Sequence, residues 1–70
     1  MSNLDYPFSL TMKTGRVDWM TAQAHWAETY ESIARACIRS VREAGITESE
    51  IQSFEFEYDG NRYSINWQTK

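Results

Sequence analysis

Residues 6–13 alternate, with Tyr6, Phe8, Leu10 and Met12 on one side and Pro7, Ser9, Thr11 and Lys13 on the other. Side chains of an extended chain point to opposite faces in turn, so a period of two predicts a strand with one buried face. Pro7 brings no backbone N–H, which leaves the strand's start loosely paired or at an edge. Thr14-Gly15 then ends the strand. From Asp18 to Ala44 there is neither Gly nor Pro, and Trp19, Ala22, Trp26, Tyr30, Ile33, Cys37, Val41 and Ala44 recur every three or four positions. That spacing gathers them into a stripe ~100° wide and predicts one amphipathic helix over 18–44. Asp18 is the expected N-cap and Gly45 the expected residue just past the C-terminus.

Ile46 to Ile51 reads as one short helical turn, after which the period returns to two. Phe54, Phe56 and Tyr58 alternate with Ser53, Glu55 and Glu57, and Tyr63, Ile65 and Trp67 alternate with Arg62, Ser64 and Asn66. Asp59-Gly60-Asn61 between them is a tight-turn signal, so the two runs form a hairpin. A type I′ turn on Asp59-Gly60 pairs Phe56 with Tyr63 and Glu57 with Arg62; a type II′ turn on Gly60-Asn61 pairs Tyr58 with Tyr63 instead. Both set apolar residues opposite apolar ones, which leaves the register open.

These elements predict a single α+β domain over residues 1–70 with the order β-α-β-β. Its three-stranded, mainly antiparallel sheet would carry one long amphipathic helix on the face formed by Phe8, Leu10, Met12, Phe54, Phe56, Tyr63, Ile65 and Trp67. Length then becomes informative. A helix over 18–44 would be ~40 Å long, against ~20–27 Å for strands of six to eight residues. Either the helix bends, or something outside the chain covers its overhang. Met20, Ala24, Ala27, Ala34 and Ile38 form a second stripe beside the first, read either as a wide core face or as a self-association surface.

Composition narrows the function. Ten acidic residues against seven Lys and Arg leave a net charge of −3, which disfavours a nonspecific polyanion binder. A single cysteine excludes an internal disulfide framework, and Cys37 in the apolar stripe reads as a small core hydrophobe. The N-terminus shows no basic or apolar signal region, and the longest uncharged run is too short to span a bilayer. A soluble cytoplasmic protein without membrane contact is expected.

The chemistry on offer is sparse. His25 is the only histidine; Glu28 could orient it, yet no nucleophile shares that side in a usable arrangement. One His and one Cys make a closed metal site improbable, and no Gly-rich phosphate loop is present. The expectation is no enzyme, no cofactor and no metal. Two charged surfaces are left. Arg35, Arg39 and Arg42 form a basic ridge on the helix, read as compensation of the helix dipole or as a contact for an acidic partner surface. Glu48, Glu50, Glu55, Glu57 and Asp59 form an acidic segment, read as a solubilising surface or as a patch that docks on a basic one. Direct nucleic-acid binding is not expected, because the strand aromatics lie on the face the helix needs.

The segment Leu10 to Gln23, with Thr11-Met12, Val17-x-Trp19, Thr21 and Gln23, is similar to the Dmd antitoxins of tailed phages. There a short strand precedes a helix that opens with Val-x-Trp. The C-terminal hairpin ending in Trp67 is more extensive than that family's. The resemblance implies a small non-catalytic protein that binds and blocks a host toxin. The expected function is therefore a non-enzymatic protein-interaction module, an inhibitor of phage or mobile-element type that occludes a host defence or regulatory protein. The alternative is a homodimeric accessory protein that associates through its long helix.

Overall fold

A computed structural model describes residues 4–24 and 29–68. The order of elements is β1 (Leu4–Met12), β2 (Val17–Ala24), α1 (Tyr30–Glu43), a single 3-10 turn (Glu48–Glu50), β3 (Ile51–Tyr58) and β4 (Asn61–Asn66). The sheet is four-stranded with the order β2-β1-β3-β4, and every neighbouring pair is antiparallel. The α+β class stands, but the strand count rises by one and the order becomes β-β-α-β-β.

The single helix over 18–44 is corrected. Val17–Ala24 is a strand, locked to β1 through eight register pairs from Leu4↔Ala24 to Thr11↔Val17. Helix propensity is a weak prior that tertiary pairing overrides, and Val17, Trp19 and Thr21 are residue types that suit a pleated surface. Within β2 the core-facing set is Met20 and Ala22, opposite Phe8 and Tyr6, while Val17 and Trp19 face away. Asp18 therefore caps no helix; it accepts instead from the Arg16 guanidinium at 2.9 Å in an exposed ion pair. Trp26 of the proposed stripe lies outside the described residues.

The true helix is 14 residues long, about 21 Å at ~1.5 Å per residue, and fits within the sheet. The overhang does not exist. Thr29 is its N-cap, in an extended conformation with Oγ1 accepting from the Ser32 N–H at 3.2 Å. At the other end the N–H of Gly45 donates to Arg42 O and that of Ile46 to Val41 O, the paired bonds of a Schellman motif. Gly45 sits at φ 74°, as its expected place past the helix requires.

The β3–β4 register resolves in favour of the turn on Asp59-Gly60: Phe56 pairs with Tyr63, Phe54 with Ile65 and Glu57 with Arg62. Both turn residues have positive φ, 52° for Asp59 and 78° for Gly60, as a type I′ turn demands. β1 lies between β2 and β3, so the β1–β3 ladder is the seam that joins the two hairpins. Its ladder to β3 begins only at Phe8, one residue after Pro7, so the missing proline donor falls where β3 makes no pair.

The core is the aromatic and aliphatic layer between α1 and the sheet. Phe8, Leu10, Ala22, Ile33, Cys37, Val41, Ile51, Phe54 and Phe56 are essentially inaccessible. Phe54 is its centre, edge-on to Phe8 at 6.4 Å and to Trp67 at 5.9 Å. Tyr30 in the first helical turn stacks on Tyr63 of β4 at 5.1 Å and pins the helix start to that side of the sheet. Among the described residues, no helix is long and apolar enough to cross a membrane.

Candidate functional site

With one helix and one sheet among the described residues, no described element lies above the opposite sheet face. Register assembles that face row by row. Trp19 of β2, Ser9 of β1, Glu55 of β3 and Ser64 of β4 form one row; Thr21 and Pro7 lie beside Glu57 and Arg62 in the next. Trp19 and Glu55 are two strands apart, roughly 10 Å at the usual ~4.8 Å spacing. Ser9 between them is 3% exposed, covered by its neighbours. Beside it, over Pro7, lies a cleft of about 250 Å³ lined by Pro7, Trp19, Glu55, Phe56, Glu57 and Arg62.

Trp19 is the wall of this cleft and is 68% exposed, with Val17 beside it also exposed. A large aromatic left this open on a strand is unusual for a small domain, and a Trp is a costly group to leave in water. On the far side, Arg62 Nε donates to Glu55 Oε1 at 3.2 Å. Arg62 stands directly opposite Glu57 in register yet reaches diagonally to Glu55. Glu57 is exposed and has no ion-pair partner among the described residues. Trp19 is the functional candidate that reading the sequence as helix assigns to the core. The signal that exposes it is a set of period two, Val17-x-Trp19-x-Thr21, leading straight out of a turn.

The acidic segment does not assemble into one patch. Glu48 and Glu50 lie on the 3-10 turn at one end of β3, and Asp59 lies in the turn at the other. Glu48 is occupied, accepting from Trp67 Nε1 at 3.2 Å and paired with Arg42 at 3.6 Å. Glu55 and Glu57 alone share the open sheet face. The basic ridge does assemble: Arg35, Arg39 and Arg42 line one shallow depression with Ile38 and Glu43 on the solvent side of α1. Arg42 is held by Glu48, whereas Arg35 and Arg39 make no ion pair among the described residues.

The self-association stripe is not a helix face. Met20 and Ala24 belong to β2, Ala34 and Ile38 belong to α1, and Ala27 lies outside the described residues. Ala34 is buried, and Met20 and Ile38 pack against the core of their own chain. His25 and Glu28 lie outside the described residues as well. Cys37 is enclosed in the core, and burial pushes its thiol up to about 12. A thiol of that kind is protonated at neutral pH and is a poor nucleophile. Among the described residues, no group of three or more His, Cys, Asp and Glu side chains is placed to hold a metal ion.

Comparison with protein-family models, with curated proteins and with solved structures finds no match.

Proposed function

We propose that this chain is a non-enzymatic protein-interaction module that occludes a partner surface with the open face of its sheet. One observation carries the reading: Trp19 stands 68% exposed at the wall of a cleft whose other side is charged. Interface centres are enriched in Trp, Tyr and Arg, with polar groups around them. Covering the exposed part of an indole is worth roughly 2–4 kcal/mol before ordering costs, at ~25 cal/mol per Å².

The resemblance of Leu10 to Gln23 to phage antitoxins supports a narrower form, an inhibitor that blocks a host defence or regulatory protein. That form rests on this segment alone, and the segment folds as strand, turn and strand rather than as a strand entering a helix. The test compares the wild-type chain with Trp19→Ala as bait in extract of the native cell at physiological salt. A protein retained by the wild type and lost by the variant is expected. Identical retained proteins on both baits, with both chains folded by circular dichroism, overturn the reading.

A further inference from the structure

We infer that the cleft beside Trp19 receives a cationic side chain, Lys or Arg, from the partner protein. The inference deepens the proposed docking function and rests on it. Three features of the cleft agree. Its wall is an indole with an open π face, the aromatic surface that attracts cations most strongly. Its charges do not balance: two carboxylates, Glu55 and Glu57, meet one guanidinium, Arg62, leaving one negative charge in the cleft. The pairing also decides which carboxylate is available, since Arg62 is committed to Glu55 at 3.2 Å and Glu57 has no ion-pair partner among the described residues.

Pro7 makes the floor of the opening. Its compact ring rises little above the sheet, so the space over it, between Trp19 and the β3 carboxylates, stays open. A long unbranched stem can lie on this floor with its methylenes against the indole and its charged head at Glu57, the way Lys and Arg cover apolar surface elsewhere. An anionic partner group would meet Glu57 and Glu55 without compensation, and an uncharged apolar group would leave the cleft's charge unused.

The probe is a short blocked Gly-Ser peptide carrying arginines, with versions in which Lys, Gln or Glu replaces them. The readout is the indole N–H resonance of Trp19, assigned by its loss in Trp19→Phe. Arg and Lys peptides should shift that resonance saturably, and the Gln and Glu peptides should not. Trp19→Leu, which keeps apolar bulk but removes the π face, should weaken binding roughly two- to five-fold, as should Glu57→Gln. Glu57→Lys should abolish it. Binding should fade toward 1 M salt, where the screening length is about 3 Å.

Equal shifts from the Arg and Gln peptides, unchanged affinity in Glu57→Gln, or a response confined to residues other than Trp19 each overturn the inference. Failure here is separable from failure of the docking reading. A partner captured in a Trp19-dependent way, with no charge preference among peptides, leaves docking standing and removes the cation. Charge-selective peptide binding with no Trp19-dependent partner does the reverse.

Discussion

Trp67 and Trp19 put the same side chain to opposite uses. The first closes the core, edge-on to Phe54, with its Nε1 donating to Glu48; the second is left in solvent on the other face of the sheet. Cys37 belongs with Trp67, and its enclosure has a consequence for pH dependence. A thiol whose pKa is raised in the folded chain keeps its proton where the unfolded chain, near the ordinary 9.0, has lost it. The unfolded state is then favoured as pH rises from about 9 toward 12, and below 9 the thiol contributes no slope. Urea midpoints should therefore fall further between pH 8 and pH 10 for the wild type than for Cys37→Ala. Every other group is common to both proteins, so the difference isolates the thiol. Parallel loss in the two would show that the thiol ionises freely in the fold.

At the level of elements, the start of α1 is the sharpest point of contrast. Thr29→Ala removes the side-chain acceptor from Ser32 N–H and should cost about 1 kcal/mol in thermal or urea unfolding. Asp18→Ala removes only an exposed ion pair with Arg16 and should stay within about 0.5 kcal/mol. The reverse ranking would restore a helix that begins at Asp18. The two hairpins differ in how openly the sequence declares them. In β3–β4, Phe54, Phe56, Tyr63 and Ile65 alternate with polar residues around Asp59-Gly60, and local pattern and sheet agree. In β2, Trp19 faces out while the small Ala22 faces in, so hydrophobicity does not separate by face. The run Trp19, Ala22, Trp26, Tyr30 then imitates a helical stripe and merges a strand with the helix that follows. Ile33, Cys37 and Val41, the part of that stripe inside α1, are buried as the spacing requires. The basic ridge was legible for the same reason, since it lies wholly within α1. The cleft was not, because it exists only once β1 sets Pro7 between Trp19 of β2 and the Glu55 and Glu57 carboxylates of β3.

For the molecule as a whole, one face of the sheet carries stability and the other carries the proposed docking surface. A chain of this size is expected to hold only about 4–10 kcal/mol. Phe54 touches the rings of Phe8, Phe56 and Trp67, so Phe54→Ala, at about 3–5 kcal/mol, should remove most or all cooperative unfolding. Trp19→Ala should leave the melting curve nearly in place, within about 0.5 kcal/mol. Circular dichroism melts of the two variants check both outcomes, and a collapse of Trp19→Ala would mean that the indole supports the fold. The β1–β3 seam between the hairpins has a further consequence, for how the protein is born. Phe8 and Leu10 leave the ribosome well before their neighbours Phe56 and Phe54. Two ribbons can close locally, but the seam that joins them must wait until β3 has been made. Throughout that interval the nascent chain presents bare aromatic surface to whatever guards the exit tunnel.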